Sequence, residues 1–299
     1  MKGLILFSKR EEDLSAEKDY SLVRLLAAGR KKGFKLEVAT PNQIELVVTR
    51  DDRKSILIDD KQTQLPDFVL PRMGADTTYY GLAVIRQLEH MGTYVCNGSR
   101  AVEAVKDKLH MHQVLAYSSL PTPKTMLAKF PIDINIVKRE IGFPLIIKNV
   151  SGTQGAGIYL CKDENSFMDV MELLYSNKPN ANIIIQEFIE KSSGQDLRVF
   201  VLGGRVVGCM KRSSSSSFKA NFSKGGKVEP FELSAEAEWL AIEAARLVNL
   251  DVAGIDLLFD ENGFKICEAN SAPGFHGLEK VTGPRIAEEI LDYIKLRVG

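Results

Sequence analysis

The stretch DVAGIDLLFDENGFKICEANSAPGF, residues 251–275, is the part of the chain on which the interpretation of its fold depends. Two segments rich in Ile, Leu and Phe, residues 253–259 and 264–270, flank a sequence typical of turns. This pattern predicts a β-hairpin. A loop of Glu261-Asn262-Gly263, with Gly263 in the left-handed conformation that closes a bulge, would pair Asp260 with Phe264.

That register places Asp256 opposite Glu268. Because side chains alternate between the two faces of a strand, Asn270 joins them on one face, and Gly254 lies across from Asn270. Three oxygen-bearing side chains on one face of an apolar hairpin need a positive partner. Mg²⁺ fits, with Mn²⁺ as a substitute, since both bind carboxylate and carbonyl oxygens. The alternative is a carboxylate pair held by nearby Lys or Arg, and the hairpin alone leaves both interpretations open.

The composition is that of an ordinary soluble protein with two or three domains: 299 residues, 44% hydrophobic and 26% charged. The 39 basic and 39 acidic residues cancel, so no global field attracts the chain to nucleic acid or a membrane. The four cysteines form no CxxC pair, which predicts reduced thiols in a cytoplasmic protein. We find no signal region and no long apolar span, and therefore expect neither export nor membrane insertion.

Strand and helix patterns alternate through the first 97 residues, which predicts a small α/β domain with a parallel sheet. This region contains no GxGxxG, so we do not predict a dinucleotide site. Arg72 follows a predicted strand. It could bind a substrate carboxylate or form a surface ion pair, and the sequence does not distinguish these roles.

The middle of the chain contains a glycine-rich segment, NVSGTQGAG, at residues 149–157. A strand pattern follows it rather than a helix, which excludes the Walker A arrangement. A glycine-rich loop can still offer backbone N–H groups to phosphates, and Lys148 could supply a positive charge beside it. The alternative is a plain hairpin turn.

Upstream, Ser99 is predicted to cap one helix that continues to about Tyr117.

A second hairpin, closed by Gly203-Gly204, ends in the cations Lys211 and Arg212. Five serines at residues 213–217 and a basic segment at 218–227 follow it. These segments predict either a lid over a binding site or a solvated linker. Residues 271–283 are predicted to form a loop before the last helix.

The order of these pieces resembles the ATP-grasp superfamily of carboxylate–amine ligases, and more closely the RimK-like α-L-glutamate ligases. The resemblance covers nearly the whole chain. The segments that carry it are PRMG (71–74), DKL (107–109), PLIIKNVSGTQGAG (144–157), QEFI (186–189), GQDLRVFV (194–201), FKANFSKGG (218–226), DVAGIDLL (251–258) and EANSAPGFHGLEKVTG (268–283).

The resemblance implies an ATP-grasp fold, with an N-terminal pre-ATP-grasp α/β domain and two α+β domains clasping ATP. We expect domain limits at residues 1–97, 98–187 and 188–299. The central domain would carry the glycine-rich loop, and the last would carry the metal site and the basic loop.

The resemblance also implies roles for individual residues. The nucleotide site would comprise Lys108, Lys148, Gly152, Gly155, Gly157, Gln186, Glu187, Phe188, Ile189, Asp196, Lys219 and Asn221. The Mg²⁺ ligands would be Asp256, Glu268 and Asn270. Our candidates for the acceptor carboxylate and the developing negative charge are Arg198, Lys211 and Arg212, for each of which a surface ion pair is the alternative.

By resemblance, the chain phosphorylates a carboxylate with ATP, and the amino group of L-glutamate then attacks the acyl phosphate. The acceptor would be a peptide, a protein C-terminus or a glutamyl-bearing small molecule, and the protein could be a homo-oligomer. The serine run differs from the more charged loops of this family, which leaves the acceptor open. Two alternatives remain: a ligase of another amino acid or amine, such as a lysine-biosynthesis or dipeptide ligase, and a non-catalytic ATP-binding regulatory module. A nucleic-acid partner is not expected.

Overall fold

A computed structural model of the chain describes residues 1–50, 55–149, 157–177, 182–215, 217–220, 225–283 and 285–299. The helices and strands of the described residues are, in chain order, β1 (Lys2–Leu6), α1 (Tyr20–Lys31), β2 (Lys35–Ala39), β3 (Ile44–Glu45), β4 (Ser55–Ile58), β5 (Lys61–Gln64), β6 (Phe68–Pro71), α2 (Tyr79–His90), β7 (Tyr94–Val95), α3 (Ser99–Lys106), α4 (Lys108–Tyr117), β8 (Thr125–Leu127), α5 (Ile134–Glu140), β9 (Leu145–Asn149), β10 (Ile158–Cys161), α6 (Glu164–Asn177), β11 (Ile183–Glu187), β12 (Gln195–Leu202), β13 (Arg205–Ser213), β14 (Lys227–Pro230), α7 (Ala235–Leu247), β15 (Val252–Asp260), β16 (Gly263–Asn270), α8 (His276–Thr282) and α9 (Ile286–Val298).

The N-terminal part is a parallel sheet with strand order β2-β1-β6-β7. Successive residues of β1 face opposite sides of the sheet: Ile5 belongs to a core shared with α1, and Leu6 to a core shared with α2. Helices on both faces explain why this strand is an unbroken apolar run. A small antiparallel sheet, β3-β4-β5, is added to this unit. The predicted α/β region is confirmed.

The central part is an antiparallel sheet with order β10-β9-β11-β8. One face packs on α5 and α6, whose Val137 and Phe167 are fully buried there. β9 and β10 pair so that Lys148 lies opposite Ile158, at the end of the hairpin next to the connection between the two strands. Lys148 therefore lies one residue before the end of β9, close to the start of that connection.

The C-terminal part is an antiparallel sheet with order β14-β13-β12-β15-β16. One face packs on α7 through Leu240, Ala241 and Ala244. The other face contributes Phe200 and Met210 to the core that includes α1, α8 and α9. The predicted combination of an α/β unit with two α+β units is the observed architecture.

Two expectations about helices were wrong. The helix predicted from Ser99 to Tyr117 is interrupted at Asp107, which has extended backbone angles and caps α4 by accepting from His110 N at 3.0 Å. The interruption makes Lys108 the first residue of α4. The segment 271–283, predicted as a loop, contains α8 (His276–Thr282). No helix in the described part of the chain has the length and apolar character needed to cross a bilayer.

Candidate active site

One face of the five-stranded sheet carries six of the predicted polar site residues. β12 pairs with β13 and with β15, so that Asp196 lies opposite Arg212 and Arg198 lies opposite Asp256. β15 pairs with β16, so that Asp256 lies opposite Glu268 and Gly254 lies opposite Asn270. Directly opposed residues share a face. We call this face the polar face of the sheet; it carries Asp196, Arg198, Arg212, Asp256, Glu268 and Asn270.

A β-bulge at Cys267 determines which side chains of β16 lie on the polar face. The register changes between the Leu257–Ile266 pair and the Asp256–Glu268 pair, which leaves Cys267 as the extra residue. Because of this extra residue, Ile266 packs in the α7 core while Glu268 lies on the polar face. The pairing predicted at the site is thus present in the structure.

The predicted turn was wrong in its details. Asp260 pairs with Gly263 rather than with Phe264, so the turn has two central residues, Glu261 and Asn262. Gly263 has a positive φ of 123°, but the bulge lies in the middle of β16 instead of at the turn. The two differences cancel at Asp256 and Glu268, which is why the predicted pairing was still correct.

Two arginines hold Asp256. The Arg198 guanidinium donates through Nε and Nη2 to the two oxygens of this carboxylate, and Arg212 Nη2 donates to its Oδ2 at 2.9 Å. Arg212 also pairs with Asp196, through Nε at 2.6 Å and Nη2 at 2.7 Å. The side chains of Asp256 and Arg212 are only 9% and 6% exposed, so this is a buried ion network.

The network fixes the charge of Asp256. Burial alone would raise the pKa of this carboxyl, but the charges and hydrogen bonds of Arg198 and Arg212 hold the pKa below its usual value. The same carboxylates raise the pKa of Arg212 against the effect of its own burial. Asp256 is therefore an anion whose two oxygens are mostly occupied by arginine N–H groups.

The donor chemistry of the hairpin still fits a divalent cation. A carboxylate has about four lone-pair directions, and Asp256 uses three of them for arginine. Asn270 donates its side-chain amide to Gly254 O at 3.1 Å, which turns its amide oxygen the other way. Glu268 is half-buried between these groups on the same face. Within the described residues no group of three or more His, Cys, Asp or Glu side chains forms a metal site, so the ligand set would need the Asn270 amide.

Two predicted lysines lie near Glu268. Lys148 Nζ lies 3.7 Å from Cys267 Sγ, at the bulge. Burial lowers the pKa of Lys108, the nearby charge of Lys148 lowers it further, and the Glu268 carboxylate opposes both effects. The first residue of α4 and the end of β9 thus place two cations next to the polar face, an arrangement suited to a polyphosphate.

The strand end at 186–189 is tied to its surroundings through side chains. Gln186 is 2% exposed; its Nε2 lies 3.1 Å from His112 Nε2 and donates to Thr125 Oγ1 at 2.8 Å. Glu187 accepts from Lys265 Nζ at 2.5 Å. Phe188 packs edge-on against Phe218 at 6.4 Å, and Ile189 is buried. These contacts join β11 to the last hairpin and to the segment after β13.

The remaining predicted nucleotide ligands are placed only in part. Lys219 lies with its Nζ 5.3 Å from the centre of the Phe218 ring. Gly157 precedes β10 and has a φ of +71°, a conformation that favours glycine. The predicted ligands Gly152, Gly155 and Asn221 lie outside the described residues.

Lys211 does not join the other two predicted cations. Its neighbour in β13, Arg212, is on the polar face, and adjacent residues of a strand point to opposite faces. Lys211 instead pairs with Glu229 at 3.3 Å and lies 5.9 Å from the Phe259 ring centre. The structure gives it the ion pair that was the alternative to a substrate contact. Arg198 and Arg212 also form ion pairs, but buried ones on the polar face.

Sequence reasoning missed Asn97, which ties together the two ends of the site hairpin. Its Nδ2 donates to Val252 O and Ser271 O, both at 2.7 Å, and its Oδ1 accepts from Asp251 N at 2.7 Å and Val252 N at 2.9 Å. Asn97 is 1% exposed. An asparagine after a two-residue strand gives no local signal of this role, because all its partners are distant in sequence.

Comparison with known proteins identifies the family. A model described as the RimK-like ATP-grasp domain matches residues 105–294, and one described as the RimK PreATP-grasp domain matches residues 14–102. A probable alpha-L-glutamate ligase of Vibrio atlanticus (strain LGP32) is 37% identical over 278 residues, which cover 92% of this chain and 91% of that protein. Its counterpart in Methanococcoides burtonii is 37% identical over 282 residues, covering 94% and 93%.

Solved structures share the fold. The ATP-grasp ligase PsnB, complexed with a phosphomimetic variant of its minimal precursor, Mg and ADP, superposes with a TM-score of 0.74 at 21% identity, covering 100% of this chain and 98% of that chain. A RimK domain protein from Sphaerobacter thermophilus also gives 0.74, at 18% identity, covering 98% and 99%. The domain matches and the curated relatives extend over almost the whole sequence, and the chain therefore belongs to the RimK-like ATP-grasp family of ATP-dependent ligases.

Proposed function

We propose that this chain is an α-L-glutamate ligase that uses ATP and Mg²⁺ to join the amino group of L-glutamate to a carboxylate. The acceptor is a peptide, a protein C-terminus or a glutamyl-bearing small molecule. The observation that carries the proposal is the position of Lys148, 3.7 Å from Cys267 at the bulge beside Glu268 and next to the buried network of Asp256, with Lys108 near enough to feel the charges of Lys148 and Glu268. The curated relatives named probable alpha-L-glutamate ligase support the choice of amino acid.

The proposed reaction has two steps. An oxygen of the acceptor carboxylate attacks the γ-phosphorus of ATP, and the bond from this phosphorus to the β–γ bridging oxygen breaks, which releases ADP and leaves an acyl phosphate. The glutamate nitrogen then attacks the acyl carbon, and the carbon–oxygen bond to phosphate breaks. Inorganic phosphate leaves and the nitrogen loses its proton, so the product is an amide.

The residues of the chain serve this reaction mainly through charge. In our proposal Lys108 and Lys148 contact ATP phosphates, the strand end 186–189 holds the adenine, and Asp196, Lys219 and Asn221 complete the nucleotide site. When bound to Asp256, Glu268 and Asn270, a divalent cation would offset phosphate charge during phosphoryl transfer.

Two arginines are proposed to act on the acceptor side. Arg198 and Arg212 bind their carboxylates through Nε and Nη2, and Nη1 takes no part in these pairs. We assign the Nη1 groups to the acceptor carboxylate and to the phosphoryl oxygens on which charge develops. Asp196 and Asp256 hold both guanidinium planes in place, so that little reorganisation is needed during the reaction.

The test combines a product measurement with a matched pair of variants. The protein is incubated with ATP, MgCl₂, a panel of acceptors and L-glutamate, and the acceptor mass and ADP release are measured. We expect ATP-dependent addition of glutamyl residues. Glu268→Gln should abolish this activity, whereas Glu261→Gln, in the exposed turn of the same hairpin, should keep it.

Two results would contradict the proposal. Full ADP release by Glu268→Gln would remove the metal assignment. Ligation of other amino acids in place of glutamate would make the chain a ligase of a different specificity.

A further inference from the structure

Arg72 follows β6 directly, at the carboxyl end of a strand in the parallel sheet. In open α/β sheets this is the end at which ligands bind. The residue is only 8% exposed, which rules out the surface ion pair that the sequence had left open. The groups around Arg72 must therefore compensate for the burial of its charge.

Arg72 has few polar partners among the described residues. Nη2 donates to Pro273 O at 2.6 Å, and the buried Nη1 has no hydrogen-bond partner among them. None of the ion pairs formed by the described residues includes Arg72. Burial lowers the pKa of Arg72 to about 10, and no carboxylate contributes to restoring it. A buried cation with one neutral acceptor is unfavourable unless an anion joins it.

Arg72 is also close to the polar face. Pro273, whose carbonyl it binds, lies three residues after Asn270. On its other side Pro273 packs against Gly254: a Cβ added to Gly254 would lie 2.6 Å from Pro273 Cβ and 3.2 Å from Arg198 Cδ. Arg198 in turn binds Asp256. A single proline therefore separates the Arg72 guanidinium from the proposed acceptor site.

We propose that Arg72 binds the α-carboxylate of the incoming amino acid, an inference that rests on the proposed ligase function. Its planar guanidinium matches a carboxylate with two parallel N–H···O bonds. A carboxylate that displaced the Pro273 carbonyl oxygen would meet both Nη1 and Nη2. Because the α-carboxylate is two bonds from the attacking nitrogen, this contact would place the nucleophile next to the acyl group near Arg198. The acceptor carboxylate is consumed in the reaction, whereas the α-carboxylate persists and can be held throughout.

The experiment compares L-glutamate with its α-amide and with L-glutamine as substrates for the wild type, Arg72→Met and Arg72→Lys. We expect Arg72→Met to raise the KM for glutamate about tenfold or more, the loss expected for a charge-assisted pair, with the KM for ATP nearly unchanged. The preference for glutamate over its α-amide should fall by a similar factor, while the preference over glutamine should stay. Arg72→Lys keeps the positive charge but loses the two parallel N–H donors of the guanidinium, so its KM for glutamate should lie between those of the wild type and Arg72→Met. This variant serves as the test if Arg72→Met does not fold. Arg86→Met, on α2, is the matched control.

The outcomes separate the two ideas. If Arg72 only shapes the loop, kcat or Tm will fall and the α-amide preference will be unchanged, which overturns this inference alone. Loss of the preference over glutamine instead would overturn the assignment to the α-carboxylate. A wild type that releases no ADP with any amino acid would overturn the proposed function, and this inference with it.

Discussion

Arg212 Nη2 lies 2.9 Å from Asp256 Oδ2, and this contact makes Asp256 the acceptor of two buried guanidinium groups. A residue predicted as a metal ligand thus also holds the charge network together. Removing one member of a buried ion pair is costly because the other charge is left without compensation. A substitution of Asp256 is therefore expected to affect stability as well as activity.

Asp256→Asn should lower the free energy of unfolding by about 3 kcal/mol or more, because Arg198 and Arg212 lose their counter-charge. Urea unfolding of both proteins measures this difference. Asp260→Asn is the control on the same strand, since Asp260 is more exposed and lies 3.7 Å from Lys265; it should change stability by less than about 1 kcal/mol. Equal effects of the two substitutions would show that the network does not stabilise the fold.

Lys148→Met should raise the KM for ATP about tenfold or more, because a charge-assisted phosphate contact is lost. Steady-state ADP release as a function of ATP concentration measures this. Lys162→Met, which removes an exposed lysine shortly after β10, should leave the KM unchanged. An unaltered KM in Lys148→Met would remove this residue from the nucleotide site.

The affinity for ATP should decrease at alkaline pH. Burial lowers the pKa of Lys108, so its positive charge is lost at a lower pH than that of an ordinary lysine. As the pH rises through this lowered pKa, Lys108, the proposed contact to the ATP phosphates, becomes neutral and the binding of ATP weakens. Equilibrium ATP titrations from neutral to alkaline pH should show this decrease in the wild type, and it should be reduced in Lys108→Arg. The same pH profile in both proteins would contradict the assignment.

Acid should destabilise the protein through His112. Burial lowers the pKa of His112 to about 3 from an ordinary 6.5. Between these two pH values the unfolded chain binds a proton at His112, whereas the folded chain does not. Stability is therefore lost as the pH falls from about 6.5 toward 3, by up to about 1.4 kcal/mol per unit. His112→Gln should flatten this slope in urea unfolding, and His110→Gln, an exposed position on the same helix, should not.

Asn97→Asp should impair both stability and metal use. The substitution keeps the acceptor for Asp251 N and Val252 N but turns the two donated bonds, to Val252 O and Ser271 O, into contacts between acceptors. We expect a lower Tm and a higher Mg²⁺ concentration for half-maximal ADP release. Asn262→Asp, in the exposed turn, should match the wild type in both. A normal Mg²⁺ requirement in Asn97→Asp would limit its role to folding.

The sequence predicted what depends on local chemistry. Alternation in the arms predicted the hairpin, and the two-residue Gly203-Gly204 turn was also correct. The pairing of Asp256 with Glu268 was correct only because the error in the turn and the unpredicted bulge cancel. The position of the bulge was not predictable in this way. It depends on Ile266 and Ala269 both packing in the α7 core, which is a tertiary effect.

Long-range pairing accounts for the other differences. The ion pair between Arg198 and Asp256 joins residues 58 positions apart and follows from the order of the strands, which the sequence does not state. Lys211 was grouped with Arg212 because they are adjacent, although adjacency within a strand separates side chains. Asn97 and Arg72 act on loops more than 150 positions away, and only the assembled structure identifies their partners.

The four hydrogen bonds of Asn97 have a mechanical consequence. They fasten Asp251, Val252 and Ser271, at the base of the β15–β16 hairpin, to the N-terminal unit, so a displacement of that unit would act on the base of the hairpin that carries Asp256, Glu268 and Asn270. Through Asn97, the N-terminal unit thus supports the hairpin of the proposed active site. A variant without residues 1–97 would leave the backbone groups of Asp251, Val252 and Ser271 without these hydrogen bonds. Residues 1–97 added as a separate fragment would have to restore them.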